Sequence, residues 1–176
     1  MRFKQFLKES SENTFKVFRG FTYNDSSLSL EIVSTGNPNY GPGIYFSSSS
    51  EDAKKYGKYI LEAELTLSKT VSYQDKPSED HVKSLLKNSP NFKNTIKDKF
   101  QDSFKEALEH YGRFTNEKDA FVNIFKDFYA PHYGRQFCVV MKNLGFDAMK
   151  SPENPPETFV VYNLKAIKKI KFEEAK

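Results

Sequence analysis

The apolar residues of this chain alternate, then recur every three to four positions, then alternate again, so the chain must build sheet around a helical block. Phe15, Val17, Arg19, Phe21 and Tyr23 alternate with Lys16, Phe18, Gly20 and Thr22, the pattern of a half-buried strand. Residues 58–71 alternate again, with Tyr59, Leu61, Ala63, Leu65 and Leu67 set against Ile60, Glu62, Glu64 and Thr66, and read as one long strand. Between residues 78 and 130 the period lengthens through Leu85 and Leu86, then Phe92, Ile96, Phe100, Phe104 and Leu108, then Phe121, Ile124, Phe125 and Phe128. That spacing predicts three amphipathic helices, broken at Pro90 and Gly112 and ended by Pro131. A further helix is expected over residues 135–144, stopped by Gly145, and strands over 146–149, 158–162 and 167–172. There is no internal repeat. The pattern predicts a single α+β domain over residues 15–176, preceded by an appendage of residues 1–14.

Composition narrows what such a domain does. At 176 residues, 38% hydrophobic and 28% charged, the chain is long enough for a sizeable core. No apolar run approaches the roughly 18–20 residues of a membrane span. The one cysteine, Cys138, excludes an internal disulfide framework; it forms no metal-ligand spacing with the scattered His81, His110 and His132, and its apolar setting reads as a buried thiol. A net charge of +4 spread along the chain permits an anionic ligand without demanding nucleic acid.

Three features carry chemistry. The run Gly41-Pro42-Gly43-Ile44-Tyr45-Phe46 leads into serines 47–50 and a short helix. Ser48 with Glu51 fits a capping box, so the helix is expected to start there and run to about Gly57. Tyr45 before the helix and Tyr56 near its far end can converge on one flat ring, or simply pack as core. Arg19, in the apolar row of its strand, is costly there unless paired or bound to an anion, and Gly20 beside it exposes backbone donor and acceptor. Glu157 enters an apolar strand behind Pro155 and Pro156, which fix its place and reduce its solvation; otherwise it is an exposed edge charge.

Together these residues resemble the ADP-ribosyltransferase superfamily, in its phage, mobile-element and polymerase-like branches. The resemblance covers about residues 15–172 and rests on Gly43-Ile44-Tyr45-Phe46, on Tyr56 placed eleven positions after Tyr45, and on Gly145-Phe146-Asp147-Ala148 with Phe159-Val160-Val161-Tyr162-Asn163 and Ile167. It implies split mixed or antiparallel sheets around an NAD cleft, with residues 78–130 as a helical insertion. It further implies that Arg19 binds the NAD phosphate and ribose, that Gly20 holds the nicotinamide carboxamide, that Tyr45 and Tyr56 flank its ring, that Gly43 and Ser47 belong to the binding turn, and that Glu157 is the catalytic glutamate, with Arg19 and Tyr45 completing the catalytic set. NAD would be a substrate, and no metal would be required. Two positions depart from the family: the polymerase-like branch has histidine where this chain has Arg19, and arginine-modifying members carry Glu or Gln where this chain has Pro155, which leaves the acceptor open.

The expected activity is mono-ADP-ribosylation of a host protein by a monomer. NAD glycohydrolysis, modification of nucleic acid, and a non-catalytic NAD-binding or phage head protein are the alternatives. Residues 1–9 resemble the capsid-targeting peptide of internal head proteins of tailed phages, cut after a glutamate, here Glu9. That resemblance implies packaging in the phage particle and action in the host cytoplasm.

Overall fold

Alternation in the first stretch produces β1 (Asn13–Phe21), which pairs antiparallel with β4 (Tyr59–Leu67) along its whole length, from Asn13↔Leu67 to Phe21↔Tyr59. The structure is a computed structural model that describes residues 13–23, 33–37, 41–72, 75, 77–100, 103–113, 120–129, 133–151 and 156–175. The expected capsid-targeting segment, residues 1–9, and Pro155 lie outside them.

Beyond β4 the outer strand is β8 (Ile167–Glu174), again antiparallel. On the other side of β1 come β3 (Gly41–Ser47), β7 (Thr158–Val161), β6 (Ala148–Lys150) and β5 (Thr70–Ser72), giving the order β5-β6-β7-β3-β1-β4-β8, with β2 (Val33–Asn37) paired to β3. The β5–β6 pair is parallel and the other pairs are antiparallel, so the sheet is mixed.

Only Ser68 and Lys69 separate β4 from β5, although four strands stand between them in the sheet order. The sheet must therefore curl until β4 and β5 meet. Its two halves are joined through the β1–β3 pair Phe18↔Ser47. Inside the curl, Val17, Leu61 and Leu65 of one half pack against Ile44, Phe159 and Val161 of the other. The apolar row of β1 faces this core: Val17 is fully buried, and Phe15 and Phe21 pack on the same cluster.

A second core lies between the outer face of the β5–β7 half and a layer of helices, α2 (Glu79–Lys87), α3 (Phe92–Phe100), α4 (Phe104–Arg113), α5 (Ala120–Phe128) and α6 (Gly134–Asn143). Leu85, Ile124, Phe128 and Met141 from the helices share it with Met149 and Val160 from the strands. The helical block is thus the cover of that sheet face, with no core of its own. In this layer Tyr129 donates to the Leu85 carbonyl (2.6 Å) and Tyr111 to Asp127, so both buried phenols are satisfied.

Four expectations need correction. The long strand over 58–71 is two strands, because Asp147 takes the amides of Ser68 and Lys69 out of any ladder (2.8 and 3.2 Å) and turns the chain. The helical block holds four helices and not three. Ser103 caps a new helix by accepting from the Glu106 amide (3.2 Å), and that helix runs through Gly112. Gly36 and Asn37 lie in β2, although the turn-forming run Gly36-Asn37-Pro38-Asn39 reads as a loop in the sequence. Finally, α1 (Ser50–Lys54) is capped by Ser49, which accepts from Asp52 N at 3.3 Å, and is shorter than expected.

Candidate functional site

Past Phe18↔Ser47, β1 and β3 part, and α1 seats in the gap against the backbone of β1. A Cβ on Gly20 would lie 2.1 Å from the Ala53 carbonyl oxygen, and one on Gly57 would lie 2.1 Å from the Phe21 carbonyl. Glycine at both places lets helix and strand meet backbone to backbone. The result is a cavity of about 300 Å³ walled by β1, β3 and α1. Arg19, Gly20, Tyr45, Ser47 and Tyr56 line it, together with Phe18, Ala53 and Thr158.

Arg19 reaches across the opening and donates through Nη1 to the Tyr45 carbonyl at 3.2 Å. Its Nε is buried and has no hydrogen-bond partner, and the guanidinium lies over the Phe21 ring at 5.4 Å. Burial pushes the Arg19 pKa down from its ordinary value. A half-buried cation with an orphan donor beside a cavity has the chemistry to take an anion or another acceptor, since an unmade bond at such a group is costly.

Tyr45 stands between the two aromatic expectations. Its ring packs against the helix-side core, and its hydroxyl donates to the Gly41 carbonyl. Tyr56, in the turn after α1, is 68% exposed, so one aromatic wall of the cavity is packed in place and the other stands in solvent. Ser47 is buried, and its Oγ accepts from the Ser49 amide (3.1 Å). Behind this wall the Tyr162 hydroxyl is buried without a partner, and burial raises its pKa well above the usual tyrosine value. Cys138 lies nearby with its thiol against the Pro42 carbonyl (3.6 Å), pushed up to about 12 by burial, and so stays protonated.

Two predicted site residues lie outside the cavity lining. Gly43, at φ +152°, has the Val160 side chain 2.3 Å from where its Cβ would stand. Its backbone freedom serves close packing of β3 on β7, not ligand approach. Glu157 immediately precedes Thr158, which does line the cavity. Its backbone is held from both sides by Ser48: Ser48 N donates to Glu157 O and Glu157 N donates to Ser48 Oγ, each at 2.9 Å. Ser48 thereby extends the β3–β7 pairing beyond Ser47↔Thr158, which is why it does not cap the helix. The Glu157 carboxylate pairs with Lys150 at 2.7 Å. Sequence reasoning missed both Ser48 and Lys150 as neighbours of Glu157. For Lys150 the signal was a lysine ending the strand that leads into the β6–β7 connection.

A larger hollow of about 530 Å³ adjoins this cavity at Phe18, on the outer face of β1, β4 and β8. Its charges satisfy one another: Lys16 pairs with Glu62 at 2.9 Å and Lys171 with Glu173 at 2.6 Å. The smaller cavity, with its under-bonded guanidinium, is the better candidate for chemistry.

Among the described residues no helix is long and apolar enough to cross a membrane. No protein-family model matches the chain, and no curated protein does. Among solved structures it is similar to one described as the crystal structure of an anti-CRISPR protein, at 12% identity and a TM-score of 0.42, over 92% of this chain and 98% of that one.

Proposed function

We propose that the protein is a mono-ADP-ribosyltransferase that breaks the nicotinamide–ribose bond of NAD and passes ADP-ribose to a protein acceptor. The observation that carries this reading is the cavity that unites Arg19, Gly20, Tyr45, Ser47 and Tyr56, with Glu157 one residue before the lining Thr158 and its backbone held by Ser48. At about 300 Å³ it lies at the small end of ligand sites and suits the reacting half of a dinucleotide. The orphan Nε of Arg19 fits a phosphate or ribose oxygen.

In this reading Tyr45 and Tyr56 sandwich the nicotinamide ring and Arg19 anchors the phosphate side. The C1′–N bond breaks and its electron pair leaves with nicotinamide, which departs neutral. Positive charge develops on the ribose, and Glu157, accepting from a ribose hydroxyl, stabilises that charge more in the transition state than in the ground state. The acceptor's lone pair then forms the new bond at C1′, and its proton passes to solvent. Packaging in a phage particle and a host acceptor belong to the same reading and rest on the resemblance of residues 1–9.

The test uses the full chain, NAD labelled in its ADP-ribose part and a bacterial lysate, with released nicotinamide measured alongside. Label in protein supports the proposal; free ADP-ribose alone makes the protein a glycohydrolase, and label in nucleic acid moves the acceptor. Glu157→Gln should lower kcat by about 10²–10³-fold with KM for NAD little changed. No nicotinamide release by the wild type, or release unaffected by Glu157→Gln, overturns it.

A further inference from the structure

We propose that Lys150 is a positioning residue that presents the Glu157 carboxylate to the substrate; this rests on the reading of Glu157 given above. Lys150 ends β6, opposite Phe159 of β7. Its ammonium lies 5.3 Å from the centre of the Phe15 ring and 5.8 Å from that of Phe159, and these two rings are themselves in contact, with centroids 5.0 Å apart. An aromatic floor attracts and immobilises a cation. The Lys150 side chain is 31% exposed, less than any other lysine among the ion pairs of the described residues, the next being Lys54 at 36%.

From this fixed seat Nζ meets Oε1 of Glu157 at 2.7 Å. The glutamate is then held at two points, its backbone by both hydrogen bonds to Ser48 and its carboxylate by Lys150 at one oxygen. Oε2 is the oxygen left to accept from a ribose hydroxyl. A partly exposed glutamate without Lys150 would sample several rotamers, and the ion pair selects among them. Small misplacement of a reacting group is expensive in rate.

A merely structural surface pair would affect folding slightly and catalysis not at all. The assay is nicotinamide release by wild type, Lys150→Met and Lys150→Arg, with thermal midpoints in parallel. Lys150→Met should lower kcat roughly tenfold or more with KM for NAD within about twofold. Its midpoint should move by no more than about 3 °C, since partly exposed pairs add little stability. Lys150→Arg, which restores a cation over the two rings, should recover most of the rate. An active wild type with Lys150→Met equally active, or with the loss confined to KM, or with no rescue by arginine, overturns the positioning role and leaves the functional reading standing. An inactive wild type overturns the functional reading and this role with it.

Discussion

Replacing Asp147 by alanine should cost about 3–5 kcal/mol of folding stability, because one buried carboxylate closes the curl of the sheet. Oδ2 accepts from Ser68 N (2.8 Å), Ser68 Oγ (2.7 Å) and Lys69 N (3.2 Å), and Oδ1 accepts from Asn163 Nδ2 (2.7 Å). The backbone of Asp147 adds a bond to the Lys69 carbonyl (2.8 Å) and accepts from Tyr162 N (2.8 Å), so the β4–β5 turn, the start of β6 and the exit of β7 meet at this residue. Hydrogen bonds to a charged group contribute roughly 1.5–3 kcal/mol each. Their sum overstates the loss, since the Ser68 hydroxyl can turn away while the two amides and the Asn163 amide group cannot. Urea unfolding should show the midpoint falling by about 2 M at a typical slope.

The pH dependence follows from the same contacts. Burial opposes ionisation of Asp147, yet the bonds from Asn163, Ser68 and Lys69 outweigh it and hold the carboxyl below the usual range. With the folded pKa below the unfolded value of about 3.9, the contribution is complete above that value and lost as pH falls through the folded pKa. The difference in stability between wild type and Asp147→Ala should accordingly be constant from pH 5 to 7 and shrink towards pH 2. A loss below about 1 kcal/mol at pH 7, or a difference that grows on acidification, would refute the reasoning.

Two further substitutions separate packing from ligand binding. Arg19→Met removes a half-buried cation with an unsatisfied Nε, so the thermal midpoint should hold or rise by about 2–4 °C while NAD affinity, read by calorimetry, falls at least about tenfold; a destabilised variant would make Arg19 a structural residue. Gly20→Ala drives a methyl to 2.1 Å from the Ala53 carbonyl oxygen, and since both sides are backbone the cost should be about 1–3 kcal/mol in urea unfolding, with α1 displaced. A loss under about 0.5 kcal/mol would mean that helix and strand are not packed this closely.

Periodicity made the elements of this fold legible wherever one period ruled a whole segment. The strands at Asn13–Phe21 and Thr158–Val161 and the helix at Gly134–Asn143 fall within two residues of expectation, because each presents one continuous apolar face to a core. Breaks were legible only where glycine or proline marked them. The β4–β5 turn carries neither, and it is imposed by a carboxylate 79 residues further along the chain. The site was legible as a set of residue types, with Arg19, Gly20, Tyr45, Ser47 and Tyr56 brought to one cavity. What individual residues do there was not. Gly43 looked like a ligand-approach glycine and proves to face Val160; Ser48 looked like a cap and is bonded to Glu157 across 109 residues. Local spacing cannot reveal contacts made by the register of distant strands.

That limit explains where the cavity comes from. A sheet that curls must be continuous somewhere, and here β3 joins the other half through the single residue pair Phe18↔Ser47. Immediately beyond the joint, Arg19 and Gly20 are paired with Leu61 and Ile60 of β4, while the β3 side is open. An open strand edge needs cover, and α1 supplies it by lying on the strand, which two side-chain-free positions, Gly20 and Gly57, make possible. A helix of five residues is too short to fill the gap, so a cavity remains beneath Tyr56 with the cation of the strand row inside it. The same joint puts Ser48 next to Ser47 and hence against Glu157. Cation and ring therefore meet because both flank one splayed strand pair, and widening or closing that pair would move the two together.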